Sequence, residues 1–138
     1  TQGYDASTGT NRILAILPNA YMQGRTAGTN MAGGKEVFDD AIPMNAIGFF
    51  GLHALTAGSY EGEMYEEKTE DSLKRLFVKD GLLKGFMMIG DTDRAGIYTA
   101  LIRNKTPLEE VDFALLEKSP SLLAFSATNR KKMLGGVV

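Results

Sequence analysis

The chain has no cysteine and a single histidine. A disulfide, a thiolate metal site, a redox-active thiol pair and a histidine cluster for a metal are therefore excluded within it. No apolar run approaches the ~20 residues of a membrane-spanning helix, and Thr1-Gln-Gly-Tyr-Asp5 carries neither the basic start nor the apolar core of a leader. A soluble, cytoplasmic chain with no membrane partner is the expectation. A formal charge of -2 gives no electrostatic basis for binding nucleic acid. No Gly-x-Gly-x-x-Gly run marks a dinucleotide-binding core, and Ser7, Ser59 and Ser126 lack a nucleophile elbow. His53, inside an apolar run, reads as a packing residue. The acidic stretch Glu61, Glu63, Glu66, Glu67, Glu70 and Asp71 reads as a solvated edge without the spacing a hard cation needs. No catalytic residue and no metal ligand is assigned, so any chemistry belongs to a cofactor or to other polypeptide.

What is present is one core's worth of chain: 138 residues, 43% of them hydrophobic. Its most informative stretch runs from Leu17 to Ala32. Pro18 suits a first helical turn, where its missing N–H would be unpaired anyway, and Asn19 can cap or sit in that turn. The spacing predicts a helix over 17–32, ended by Gly33-Gly34. Ala20, Gly24, Gly28 and Ala32 recur on one face, and each of the two glycines costs roughly 1 kcal/mol against alanine. Something must approach that face closely. One reading is tight packing against a helix or sheet; the other adds the free N–H groups and positive pole of the helix start, which attract an electron-rich ligand group.

The run from Gly9 through Leu17-Pro-Asn-Ala20 and Gln23-Gly-Arg-Thr-Ala-Gly28 to Gly33 resembles the late flavin-binding segment of the FAD-dependent, NAD(P)H-linked pyridine nucleotide-disulfide oxidoreductases. The nearest members are NADH:rubredoxin oxidoreductase, the nitrite reductase large subunit and NADH oxidases. From Ile42 to about Asp112 the chain is similar to the C-terminal domain of the rubredoxin reductase group. The resemblance implies a C-terminal piece of a larger flavoprotein. That parent uses FAD and NAD(P)H and passes electrons to rubredoxin, another carrier or oxygen, whereas the piece alone is expected to bind neither cofactor tightly and to be inactive. In the family this helix start faces the pyrimidine edge of the flavin, so the implied cofactor-binding residues are Leu17, Pro18, Asn19 and Ala20. Phe50 is a second candidate, as a wall beside the ring. Implied partners are the rest of the flavoprotein, an electron-acceptor protein and a second copy. The rival reading is a standalone dimerisation or interaction module.

Along the chain, residues 1–12 read as a loop, with Asp5, Ser7 and Thr8 as turn and cap residues, and 13–17 as a buried lead-in to the helix. Strands are predicted over 44–50 and 53–57, and a charged edge strand over 62–68. The runs 72–79 and 82–89 flank Asp80-Gly81, a type I′ hairpin signal that pairs Val78 with Leu83 and Leu76 with Gly85 and leaves Lys74 and Lys79 to solvent. Asp91 or Asp93 is expected to cap a helix over 94–103 with Ile97, Ala100 and Leu101 inward. Pro107 starts another helix, which Lys118-Ser-Pro120 breaks. A final turn follows at 121–125, then a mobile tail from Asn129 to Gly136. The fold class is α+β, a small mostly antiparallel sheet with packed helices, preceded by one Gly/Ala-faced helix. The expected division is 1–41, a remnant of a flavin-binding domain with its linker; 42–117, an α+β interface domain; and 118–138, an extension.

Overall fold

Tight turns with left-handed residues organise the sheet of the computed structural model, which describes residues 2–133. A small hairpin comes first, β1 (Gly3–Asp5) and β2 (Thr10–Arg12), where the sequence reads as loop; helix α1 (Leu17–Met31) follows. Then come β3 (Met44–Phe49), β4 (Leu52–Gly58), β5 (Glu63–Lys68), β6 (Leu73–Lys79) and β7 (Leu82–Ile89), an antiparallel sheet in the order β3-β4-β7-β6-β5. Helices α2 (Gly96–Arg103), α3 (Phe113–Lys118) and α4 (Ala127–Met133) complete the described part. The α+β class, the hairpin at Asp80-Gly81 and the charged edge strand β5 are as the sequence predicts. Asp80 and Gly81 have φ of 55° and 69°, as a type I′ turn demands.

Register differs from expectation at one point. Val78 pairs with Leu83, but Phe77 pairs with Gly85 and Leu76 with Phe86, because Lys84 is an extra residue in β7. The bulge flips the parity of β7, so Leu83 before it and Phe86 and Met88 after it all face the core at 2% exposure. Beside the bulge the backbones of β4 and β7 touch: a Cβ on Gly58 (φ 77°) would lie 2.0 Å from the Lys84 carbonyl oxygen.

Helix α2 packs on β7 and β4, and Tyr98, Leu101 and Ile102 are its buried residues; Ile97 is half-buried. With Ala57, Leu76, Leu83, Phe86 and Met88 they form the core, which Leu116, Ala124 and Phe125 close and which Ala6 and Ile42 join. The Tyr98 hydroxyl donates to the Leu116 carbonyl at 2.5 Å, and burial raises its pKa well above the ordinary phenol value. Neither Asp91 nor Asp93 caps α2. Its first flanking residue is Ala95, without a side-chain bond, while Asp91 Oδ1 accepts from the Asp93 N–H at 3.0 Å in a local turn. The helix predicted from Pro107 divides into a 3-10 turn (Leu108–Glu110) and α3, since Asp112 interposes its own cap, accepting from the Leu115 N–H at 3.0 Å. Lys74 is not left to solvent: it pairs with Glu67 and donates to the Lys118 carbonyl at 2.6 Å. The final turn is found at Leu122–Ala124, and α4 covers the first part of the predicted tail, whose residues 134–136 lie outside the described ones.

Candidate functional site

Helix α1 begins at Leu17 after an extended Ile16, with Pro18 in its first turn and no side chain capping it. Ala20 N–H is the first to find its helical partner, Ile16 O at 3.0 Å. Pro18 has no N–H, so the donors left over by the first turn are those of Leu17 and Asn19. No acidic residue stands in that turn to offset the positive pole. Leu17, Pro18 and Ala20 are exposed, Leu17 by 87%. Asn19 is not a cap: it is fully buried and its Nδ2 donates to the Ile42 carbonyl at 3.0 Å, tying the helix to a residue of the core. Its Oδ1, also buried, has no partner among the described residues. The stretch before the helix is not a buried lead-in, since only Leu14 is buried and Ile13 is 69% exposed.

The small-residue face is open. Ala20, Gly24, Gly28 and Ala32 are exposed, and a Cβ on Gly24 or Gly28 would meet nothing within 4 Å. Tight packing of that face within the described chain is thereby overturned. On its flank a cleft of about 820 Å³ separates α1 from the β1–β2 hairpin, lined by Tyr4, Asn11, Leu14, Gln23, Gly24 and Ala27 among others. The hairpin is braced from inside. Asp5, fully buried, accepts from the Ser7 N–H at 2.9 Å and the Ser7 hydroxyl at 2.6 Å, with Arg12 Nη1 at 3.4 Å. Ala6 N–H donates to the Ala41 carbonyl at 2.7 Å.

Phe50 sits elsewhere, in the β3–β4 turn, 97% exposed and with a φ of 47°. Left-handed geometry is disfavoured for a bulky side chain. Its ring contact is with Phe49, edge-on with centroids 4.6 Å apart, and Ile47 and Leu52 are exposed near the same turn. One helical turn thus brings Leu17, Pro18, Asn19 and Ala20 together, while Phe50 belongs to a separate apolar tip. His53 is exposed rather than packed. Among the described residues no group of acidic or histidine side chains could hold a metal, and none of the helices is long and apolar enough to cross a membrane. Asp5 and Ser7 form the local turn expected of them, while the burial of Asp5 and the long-range bond of Asn19 are what sequence reasoning missed.

No family model matches the chain. It is similar to the NADH-dependent phenylglyoxylate dehydrogenase subunit epsilon of Aromatoleum evansii, 41% identical over 110 residues that cover 73% of this chain and 26% of that one. In fold it is similar to an FAD-dependent pyridine nucleotide-disulphide oxidoreductase from Desulfovibrio vulgaris, with a TM-score of 0.70 and 19% identity over 97% of this chain and 37% of that one. An NAD-dependent persulfide reductase from A. fulgidus matches with a TM-score of 0.71, 19% identity, and 97% and 30% coverage. The chain therefore spans about a quarter of the curated relative and about a third of the solved structures.

Proposed function

We propose that this chain, which has the fold of a segment of the FAD-dependent pyridine nucleotide-disulfide oxidoreductases and is related in sequence to an NADH-dependent dehydrogenase subunit, is the C-terminal part of an FAD-dependent NAD(P)H oxidoreductase. Residues 1–41 are then the remnant of the flavin-binding domain with its linker, 42–117 an interface domain and 118–138 an extension. When bound, FAD supplies the redox chemistry, taking a hydride from NAD(P)H and releasing electrons to rubredoxin, another carrier or oxygen. The reading is carried by one observation: the start of α1 is uncapped, free of acidic residues and exposed at Leu17, Pro18 and Ala20, with the Leu17 N–H left over and accessible.

Those residues fit an electron-rich ring edge. Leu17 would donate its N–H to it, Pro18 fixes the first turn without adding a competing donor, and Ala20 keeps the approach free of bulk. The pole of a 15-residue helix stabilises negative charge at that edge. Asn19 would hold the helix start in place through its bond to Ile42. The piece by itself is then inactive, and its exposed apolar surface favours association with the rest of the flavoprotein or with a second copy.

The test uses the longer polypeptide that contains residues 1–138. It is expected to purify with flavin absorbance, and Ala20→Glu, which places a negative charge at the helix start, is expected to lower the flavin reduction potential and the fraction of flavin retained. A polypeptide that purifies without flavin, or an unchanged potential and retention in Ala20→Glu, sinks the reading. A second reading, an interaction module without catalysis, draws on the exposed tip formed by Ile47, Phe49, Phe50 and Leu52; absence of flavin together with self-association would favour it.

A further inference from the structure

A second cleft lies at the carboxyl end of α2, apart from the site above. Its space of about 470 Å³ is floored by Leu101 and Phe125, 2% and 4% exposed, and rimmed by Asn104, Thr106, Glu110 and Asn129. The backbones of these rim residues are engaged, as where the Asn104 N–H donates to the Ala100 carbonyl at 2.9 Å and the Thr106 N–H to the Leu101 carbonyl at 3.1 Å. Their four side chains make no hydrogen bond or ion pair with another described residue. A pocket of this size with an apolar floor and a few converging polar groups is the ordinary form of a small-molecule site.

Two features favour a cation over an anion in it. The C-terminal end of helix α2 forms part of the wall through Ala100 and Leu101, and Glu110 is the one charged residue on the described wall. Two cations at this end, Arg103 in the last turn of α2 and Lys105 just after it, direct their charged groups to partners off the wall. Arg103 Nη2 contacts Met22 Sδ at 3.7 Å, and Lys105 Nζ lies 5.0 Å from the centroid of the Tyr4 ring and 3.5 Å from its hydroxyl. Arg130, on α4, donates Nη1 to the Phe125 carbonyl at 3.2 Å. The described lining residues thus include one carboxylate and no cation, and the Arg130 guanidinium beside them is engaged by a carbonyl.

We propose that this cleft binds a small organic ammonium ion with a compact apolar body. The charged head sits against Glu110 and the carbonyl end of α2, its N–H groups donate to the carboxamide oxygens of Asn104 and Asn129 and to the Thr106 hydroxyl, and the body covers Leu101, Pro107 and Phe125.

Cyclohexylmethylammonium is the probe and cyclohexanecarboxylate its anionic counterpart, each titrated into the ¹⁵N-labelled polypeptide containing residues 1–138. The ammonium is expected to shift the amide signals of Asn104, Thr106 and Asn129 saturably while the carboxylate does not. Glu110→Gln should weaken that binding about tenfold or more. Glu109→Gln, an exposed carboxylate off the wall, should leave it unchanged. Asn104→Leu, which keeps the carboxylate and removes a rim acceptor, should weaken it several-fold. Equal binding of both probes, no saturable shift up to about 10 mM, equal loss in the Glu109 variant, or no loss in the Asn104 variant would each overturn the proposal.

Discussion

Replacing both Gly24 and Gly28 by alanine asks directly what the exposed face of α1 is for. Each lies in the helix interior with an ordinary helical backbone, and an added Cβ meets nothing within 4 Å. In the 138-residue chain alone the substitution therefore gains helix propensity and loses no contact. The gain is about 1 kcal/mol per site, about 2 kcal/mol for the pair. With an unfolding entropy near 2.1 cal/mol/K per residue, that amounts to a rise in Tm of about 7 °C. In the longer polypeptide, where the proposed flavin domain covers this face, two methyl groups would press into a packed surface, and the same pair should cost about 1–3 kcal/mol. The informative result is this reversal of sign, read by urea and thermal melts of both polypeptides at two protein concentrations. A loss of stability in the short chain would mean that the face is already covered there by a second copy. A gain in the long chain would mean that nothing ever packs on it, and the reading of α1 as part of a larger domain would be refuted.

Gly58→Ala places its Cβ 2.0 Å from the Lys84 carbonyl and 2.8 Å from Gly85 Cα at a φ of 77°. A loss of about 3 kcal/mol or more is expected in denaturant melts, against a near-neutral effect if β4 and β7 can part there. Tyr98→Phe removes the 2.5 Å bond to Leu116 and leaves a buried carbonyl unpaired, costing about 1–3 kcal/mol. Burial raises the Tyr98 pKa in the folded state, so the unfolded chain loses its proton first. Stability should therefore fall as pH climbs past the ordinary phenol value near 10, and the Tyr98→Phe variant should lack that tyrosine's share of the fall. An identical alkaline decline in both proteins would contradict this.

The Asp80-Gly81 turn and the start of α1 were legible in the residues; parity and long-range polar partners were not. Asp80-Gly81 fixes β6 against β7 because a type I′ turn accepts few other pairs, and Pro18 places the start of α1 because its ring tolerates only the first turn. The alternation of β7 misled beyond Leu83, since the extra residue Lys84 is invisible to a period-two pattern. Asp112 broke a helix whose apolar spacing ran straight through it. Asn19 looked like a cap, yet its partner, Ile42, lies 23 residues away, a distance that local rules do not reach. The uncapped pole of α1 was read in the right place, whereas the exposure of its glycine face depends on what is packed nearby and carries no local signature.

The contacts of Ala41 and Ile42 have a mechanical consequence. Both are fully buried, and the backbone there grips the β1–β2 hairpin through Ala6 and α1 through Asn19. A protease cutting the connector between residues 34 and 40 would sever the covalent link without releasing either portion. The nicked halves should migrate together in a native gel and part only in denaturant, as a two-piece assembly clasped by side-chain and backbone hydrogen bonds.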